Sequence, residues 1–358
     1  MLKVHIRPHW EISFHGEPPL DTAALLALLI AVQDTGSIAQ AAKSVKLSYR
    51  YAWGLLRQAE TQFGDSLLDT GRGRGTQLTP LAQKLVWADR RVAARLSPML
   101  ESLASELEVE LSKMAAERLR MLRIDASHGF AVAALMEHLN QLAMPVELRY
   151  RNSTDAVAAL SRGECDLAGF HVPTGAFEPA AVAWYTRWLD PERHCLIHLA
   201  VRHQGLFVAS GNPRGISGLA DLARADIRFV NRQTGSGTRM LLELMLAAQG
   251  IATQDIGGFN SAEFTHSAVA AYIASGMADV GIGVRTAAQR FNLDFIPLLR
   301  ERYFFAVHHD ALADPLLRKL LTVLQLPDYH ARVNELTGYD AADTGTIFTL
   351  EQAFGAGH

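Results

Sequence analysis

Residues 231–239, with the sequence NRQTGSGTR, concentrate hydroxyl groups, unhindered backbone amides and two guanidinium groups in one short stretch. All of these groups donate hydrogen bonds, and an oxyanion is held by such donors. The stretch leads into the helical sequence MLLELMLAAQG, whose N-terminus favours negative charge. We therefore predict an anion site whose ligands are Arg232, Thr234, Ser236, Gly237, Thr238 and Arg239.

Two other segments carry similar side chains where a strand ends and a helix begins. They follow the strand-like sequences LRMLRIDAS and PVELRYRNS, and a third strand-like sequence, CDLAGFHV, contains a histidine. Hydroxyl and imidazole groups at these places can donate hydrogen bonds to the same anion. The further predicted ligands are Ser127, His128, Ser153, Thr154 and His171.

Two features oppose or weaken this interpretation. Asp155 places a negative charge beside Ser153, which disfavours an anion there. His266 heads a fourth helical stretch, but helix capping with nothing bound explains its position equally well. A lone histidine is also more often a packed residue than a ligand.

The elements that must position these residues alternate between strands and helices from residue 119 onward. This order is typical of an α/β domain with parallel strands.

Residues 21–63 predict a helix-turn-helix. Asp21 is placed to cap a first helix that a glycine ends, Ser37 to cap a second, and Ser48 to open a third, YRYAWGLLRQAETQF. In such a pair the recognition helix lies in the major groove of DNA. The predicted DNA-contacting residues of this part are Ser37, Ser48, Tyr49, Arg50 and Arg57.

A wing is predicted in GRGRGTQLTP, where glycines permit a tight hairpin and Arg72 and Arg74 lie near its tip to contact DNA; a solvated loop is the alternative. The local charge is typical of a nucleic-acid-binding module, and a solvated helical face is the alternative explanation. Residues 43–95 contain ten Lys or Arg against four Asp or Glu, although the whole chain has a net charge of −3. Upstream, residues 4–14 are a candidate strand.

Residues 81–118 predict a long helix, with leucine and methionine at spacings of three, four and seven. Pro98 should mark a kink or a boundary between two helices. The apolar stripe suits pairing with its own copy in a symmetric dimer, and packing on its own domain is the alternative.

The run GSIAQAAKSVKLSYRYAWGLLRQAE, followed by GRGRGTQLTP, resembles the N-terminal domain of ModE-type molybdenum regulators and, more distantly, of LysR-type regulators. Three later segments, LSRGECDLAGFHV, NRQTGSGTR and HSAVAAYIASGMADVGIGV, resemble a periplasmic-binding-protein-like domain, in particular its molybdate- and tungstate-binding members. The resemblance implies DNA binding as a dimer and two lobes that close on a ligand.

The expected architecture is a two-lobed, type II periplasmic-binding-protein-like α/β sensor, preceded by an α+β winged helix-turn-helix and a linker helix. The expected limits are 1–80 for the winged helix-turn-helix, 81–118 for the linker or dimerisation helix and 119–358 for the sensor. Within the sensor, lobe 1 is expected at about 119–205 and 300–358, and lobe 2 at about 206–299.

The expected function is transcription regulation: the chain binds double-stranded operator DNA as a homodimer, or alternatively a tetramer, and an oxyanion effector controls that binding. The resemblance favours molybdate or tungstate. Two alternatives stay open, a LysR-type regulator of a small organic acid and an oxyanion storage or delivery protein without a regulatory role. We expect no enzyme, no cofactor and no metal ion, because P-loop, HExxH, GxSxG and CxxC motifs are missing from the sequence.

The composition predicts a cytoplasmic protein that does not engage a membrane. Cys165 and Cys195 are too few for a disulfide framework and fit a reducing compartment as buried thiols. The N-terminal sequence mixes charged and aromatic residues where a signal peptide needs an apolar run.

Overall fold

The computed structural model describes residues 3–71, 75–114 and 120–355. The chain divides into two compact units, Arg7–Leu96 and Ser97–His358, the second of which also includes Met1–Ile6. Each unit has its own hydrophobic core. Within the described ranges, no helix is both long and apolar enough to cross a membrane.

The smaller unit begins with three helices. They are α1 (Thr22–Thr35), α2 (Ile38–Ser44) and α3 (Tyr49–Phe63). The predicted caps are confirmed, because Asp21, Ser37 and Ser48 each accept a hydrogen bond from a backbone N–H in the first turn that follows. The apolar face of α3 is buried as its spacing predicts, through Ala52, Leu55, Leu56 and Ala59.

A two-stranded hairpin confirms the predicted wing. Strands β1 (Leu68–Gly71) and β2 (Gly75–Leu78) pair in antiparallel register. Gly75 has a φ of +69°, and a Cβ atom there would lie 3.0 Å from the carbonyl oxygen of Gly36. Glycine is therefore required where the hairpin contacts the turn between α1 and α2. Arg72 and Arg74 lie outside the described residues.

Two expectations concern the connecting parts, and the first is wrong. Residues 4–14 form no strand; the backbone N–H of Ile12 instead donates to the side chain of Thr22. The sequence predicts a kink or a boundary at Pro98, and a boundary is excluded, because the linker is one helix, α4 (Pro80–Met114), which continues through Pro98. A proline inside a helix removes a ladder hydrogen bond and crowds the preceding turn, so a kink at Pro98 stays a prediction.

The larger unit alternates strands and helices, as predicted. Its strands are β3 (Leu122–Ala126), β4 (Val146–Tyr150), β5 (Leu167–Pro173), β6 (His194–Val208), β7 (Phe229–Arg232), β8 (Ala262–Glu263), β9 (Val280–Val284), β10 (Asp294–His308), β11 (Tyr339–Asp340) and β12 (Ile347–Thr349). Its helices are α5 (Phe130–Gln141), α6 (Ser153–Ser161), α7 (Glu178–Val182), α8 (Gly237–Ala248), α9 (His266–Ala274), α10 (Arg285–Arg290), α11 (Pro315–Leu324), α12 (Pro327–Asn334) and α13 (Leu350–Phe354).

The sheet of the larger unit has the order β4-β3-β5-β10-β6-β9-β7-β8, and β11 and β12 also pair with β6. Strands β6 and β10 are antiparallel neighbours along their whole length. One half of this pair joins β5, β11 and β12, and the other half joins β9. We call the part around β3, β4 and β5 lobe 1 and the part around β7, β8 and β9 lobe 2. The two long strands carry the chain between them.

The two cysteines are free and buried, one on each side of lobe 1. Burial raises the pKa of Cys165 to about 12 and that of Cys195 to about 11. Both side chains are therefore neutral thiols that pack as small apolar groups. In the described part of the chain, no group of three or more His, Cys, Asp or Glu residues is arranged to hold a metal ion.

Candidate anion-binding site

Four helices of the larger unit begin around one small cavity. Helices α5 and α6 follow β3 and β4 in lobe 1, while α8 and α9 follow β7 and β8 in lobe 2. The empty space among the cavity's lining atoms, together with the adjoining space open to solvent, is about 360 Å³. The cavity is lined by Ser127, His128, Arg151, Asn152, Ser153, His171, Arg202, Arg232, Gln233, Ser236, Gly237, Thr238, Phe264 and His266. Helix N-termini present free N–H groups and partial positive charge, so this convergence favours an anion.

In lobe 1 two serines meet a buried histidine. The side-chain oxygens of Ser127 and Ser153 lie 3.2 and 3.3 Å from Nδ1 of His171. The other ring nitrogen of His171, Nε2, is buried and has no hydrogen-bond partner among the described residues. With the proton on Nε2, the ring can donate into the cavity while a serine hydroxyl donates to Nδ1; with the proton on Nδ1, the ring donates to a serine and the hydroxyl groups can donate into the cavity.

In lobe 2 a guanidinium group is buried without a carboxylate. Arg232 is 7% exposed, its Nη2 donates to the carbonyl oxygen of Phe264 at 2.7 Å, and its Nη1 lies 3.0 Å from the His266 ring. Its Nε has no partner, and no carboxylate in the described ranges pairs with it. Burial first, and the charge of Arg202 second, lower its pKa to about 9. At neutral pH the group is a buried cation that forms no ion pair of its own among the described residues; the charge of Glu301, which pairs with Arg202, acts on it from a greater distance.

A second arginine, Arg202 on β6, also lines the cavity, but Glu301 on β10 compensates its charge. The three histidines around these guanidinium groups are held neutral. Burial lowers the pKa of His128 to about 4 and lowers those of His171 and His266 well below 6.5, and the positive charges of nearby arginines lower them further.

Most of the predicted ligand residues lie together in the cavity: Ser127, His128, Ser153, His171, Arg232, Ser236, Gly237 and Thr238. Thr154, Thr234 and Arg239 do not line it. Thr234 is exposed on the turn before α8. Arg239 points away, because its Nε donates to Glu243 at 3.0 Å and its guanidinium lies over the Phe259 ring.

Asp155, the residue that opposed an anion site in the sequence, does not line the cavity. It faces an adjoining outer pocket, which is bounded by Tyr150, Arg151, Asn152, Asp155, Ala158, Arg162, Gln233 and Phe264. The cavity itself has no acidic lining residue in the described part of the chain.

Sequence reasoning missed four lining residues, Arg151, Arg202, Gln233 and Phe264. Arg151 and Gln233 adjoin predicted ligands, so a wider window around each strand end would have included them. Arg202 lies in the middle of a 15-residue strand. It lies far from any helix start, so no strand end or helix cap in its neighbourhood signals a site.

In the smaller unit, the residues predicted to contact DNA are distributed over two helix starts and one helix face. Tyr49, Arg50 and Arg57 are exposed on α3, and Ser48 is exposed at its start. Ser37 is half-buried at the start of α2. The guanidinium of Arg57 lies 6.0 Å from the ring centroid of the half-buried Trp53.

Comparison with known proteins identifies both units. The family described as PBP superfamily domain matches residues 133–325, and the family of bacterial regulatory helix-turn-helix proteins of the lysR type matches residues 24–83. The uncharacterized protein YvgK of Bacillus subtilis (strain 168) is 36% identical over 214 residues, which are 60% of this chain and 69% of YvgK. The molybdenum-pterin-binding protein MopB of Rhodobacter capsulatus is 29% identical over 145 residues, which are 39% of this chain and 52% of MopB.

Among solved structures, a mutant of OxyR from Corynebacterium glutamicum aligns over 88% of this chain and 93% of its own, with 14% identity and a TM-score of 0.43. The PBP superfamily match spans more than half of the 358 residues. The chain therefore belongs to the PBP superfamily-domain family, and with its lysR-family helix-turn-helix it is a LysR-type DNA-binding regulator whose larger unit is a periplasmic-binding-protein-like effector domain.

Proposed function

We propose that this regulator senses a small oxyanion, molybdate or tungstate, and that the bound anion controls its affinity for operator DNA. The observation that carries the proposal is Arg232, a buried guanidinium that lines the cavity, forms no ion pair among the described residues and has an unpartnered Nε. An unpaired buried charge is costly. An anion in the cavity supplies the missing counter-ion, so the folded protein is suited to bind one.

The donor set around Arg232 supports a small inorganic anion. Hydroxyl groups come from Ser127, Ser153, Ser236 and Thr238, and free amides come from the starts of α5, α6, α8 and α9. These donors surround a small space rather than lining one wall. A compact ion with oxygens in several directions satisfies more of them than an extended organic acid does.

Two similarities support molybdate or tungstate among the possible oxyanions. The sequence resembles ModE-type regulators and molybdate-binding domains in the segments quoted above, and MopB is by its name a molybdenum-pterin-binding protein. Both similarities point to molybdenum.

The regulatory part of the proposal rests on the helix-turn-helix and on α4. Beyond Pro98, four large apolar residues of α4 are exposed: Met99, Leu103, Leu107 and Leu111. This stripe supports a homodimer formed through the linker helix, since an exposed apolar row at helical spacing is suited to a partner helix. A dimer would place two recognition helices on a two-fold symmetric operator.

Isothermal titration calorimetry on the full-length protein tests the effector. Molybdate, tungstate, sulfate, phosphate and acetate are titrated separately into the wild type, Arg232→Met and Arg149→Met. We expect molybdate and tungstate to bind most tightly and Arg232→Met to weaken them by about thirtyfold or more. Arg149→Met is the matched control, because Arg149 pairs with Asp125 and does not line the cavity.

A gel-shift titration on the DNA upstream of the gene, with and without molybdate, tests the regulatory part. A change in operator affinity that Arg232→Met abolishes supports the proposal. Heat from acetate but from neither metal oxyanion would instead identify an organic-acid regulator. Anion binding without any specific DNA footprint would identify a storage or delivery protein.

A further inference from the structure

Arg202 occupies the place where β6 passes from one lobe to the other. On the lobe 1 side, Arg202 lies opposite Tyr339 of β11, and the preceding residue Val201 lies opposite Asp340. Two residues later, Gln204 begins the pairing with β9 of lobe 2. Across the central strand pair, Arg202 lies opposite Glu301 of β10. Arg202 therefore lies where β6 crosses from lobe 1 to lobe 2, and it belongs to neither lobe alone.

The ion pair between these two residues is buried and uses only part of the guanidinium. Arg202 is 2% exposed and Glu301 is 1% exposed. Nε and Nη2 of Arg202 both donate to Oε2 of Glu301, at 2.9 and 2.8 Å. The third nitrogen, Nη1, is buried and has no hydrogen-bond partner within 3.5 Å among the described residues; the buried Tyr339 hydroxyl interacts with the same guanidinium but likewise has no partner within that distance. The pair with Glu301 therefore holds the arginine fork in one orientation and leaves Nη1, with its two N–H donors, incompletely used.

Nη1 of Arg202 lies close to residues that line the cavity. A Cβ atom built on Gly129 would lie 3.7 Å from Nη1. Gly129 is the residue before α5 and directly follows Ser127 and His128, both of which line the cavity together with Arg202. Buried donors without partners are rare in folded proteins, and a ligand is one of the few explanations for them.

We propose that Arg202 is an effector-binding residue: Glu301 positions its guanidinium so that Nη1 donates to the anion, opposite the charge supplied by Arg232. This inference rests on the proposed function and adds a second guanidinium to the site. Because Glu301 neutralises Arg202, the second arginine adds donors without adding a second unpaired charge. An anion with four oxygens can engage both guanidinium groups and the serine hydroxyls at once, whereas acetate has only two oxygens.

Calorimetry with molybdate on full-length variants tests the assignment. In Arg202→Lys the ammonium group can still pair with Glu301, but the fork that presents Nη1 is lost. In the double variant Arg202→Met/Glu301→Gln both charges are removed, so no unpaired carboxylate is left buried. We expect each variant to weaken molybdate binding by about tenfold to a hundredfold, and to weaken acetate binding less.

Arg302→Met is the matched control. Arg302 directly follows Glu301 on β10, pairs with Glu178 and does not line the cavity. Melting curves recorded without anion establish that each variant is folded. Wild-type molybdate affinity in either folded Arg202 variant overturns the assignment, and so does an equal loss of affinity in Arg302→Met. Failure of the wild type to bind any oxyanion overturns the proposed function itself, which is a different result.

Discussion

The side-chain oxygen of Ser102 on α4 accepts a hydrogen bond from the backbone N–H of Tyr150, at 2.9 Å. Three residues further along the helix, Ser105 does the same for Leu148, also at 2.9 Å. Strand β4 is the edge of the sheet, so these serines bind N–H groups that would otherwise have no ladder partner. The strand then runs directly into Asn152 and Ser153 of the cavity. The linker helix is thus attached to a strand that ends at the candidate anion site.

Removal of the Ser102 hydroxyl should therefore leave the affinity for the anion nearly unchanged. It should reduce the effect that the bound anion has on DNA binding. In Ser102→Ala we expect molybdate affinity within about twofold of wild type, and a loss of up to about tenfold in the ratio of operator affinities with and without molybdate. Calorimetry and gel shifts measure the two quantities. Glu106→Ala, at an exposed position of the same helix, is the control. Full retention of the ratio in Ser102→Ala would show that the serine only caps the strand edge.

Replacement of Arg232 should stabilise the protein in the absence of anion. Arg232→Met removes a buried cation that lacks a carboxylate, and we expect the free energy of unfolding to rise by about 1 kcal/mol or more. Arg149→Met should do the opposite, because it leaves the fully buried Asp125 with one fewer partner. Denaturant unfolding measures both. A destabilised Arg232→Met would mean that its bond to the Phe264 carbonyl outweighs the unpaired charge.

Stability should fall in mild acid, and the anion should oppose the fall. The pKa of His128 is lowered from 6.5 to about 4 in the folded state. The unfolded chain therefore binds the proton more readily, so the contribution of this histidine is complete above pH 6.5 and is lost as the pH falls towards 4. His171 and His266, whose pKa values burial also lowers well below 6.5, act in the same direction.

Melting temperatures between pH 7.5 and pH 5, with and without molybdate, measure this effect; a bound anion favours protonated imidazole and should flatten the profile. His128→Asn should also flatten it in the absence of anion. An identical slope with and without anion would place the anion away from the histidines.

A hydrogen bond joins the two lobes at the cavity mouth. Nε2 of Gln233, which follows β7, donates to Oδ1 of Asn152, which follows β4, at 2.8 Å. Gln233→Ala should therefore raise the dissociation rate of the anion by about threefold to tenfold, with a smaller change in its association rate. Stopped-flow displacement measures both rates. Gln249→Ala, at the end of α8, is the control. Equal changes in the two rates would show that the bond does not retain the ligand.

DNA binding should depend on the exposed arginines of α3 through phosphate or base contacts. Arg50→Ala and Arg57→Ala should each lower operator affinity, and each lost phosphate contact should reduce the slope of log affinity against log salt by about 1. Arg224→Ala is the control, because it removes the same charge from a residue of the larger unit that pairs with Asp226. Fluorescence anisotropy at several salt concentrations checks the slopes. Unchanged slopes in both variants would place the DNA on another face.

The sequence alone determined the local elements, because their signals are local. Asp21, Ser37 and Ser48 cap helices that their own following residues form, and the apolar spacing of α3 matches its buried face. The donor-rich stretch before α8 and the strand ends at Ser127 and Ser153 were identifiable for the same reason. Small polar residues between a strand and a helix are readable within a few positions.

Tertiary structure alone decided which of those residues share a cavity and what compensates their charge. Arg239 was predicted as a ligand, yet its place on α8 directs it to Glu243, while Asp155 faces the outer pocket. Arg202 meets Glu301 across 99 positions of sequence. Such a pair forms only when two long strands align in register. Whether a hydrogen-bond donor such as Nη1 of Arg202 finds a partner depends in the same way on which residues the fold places next to it.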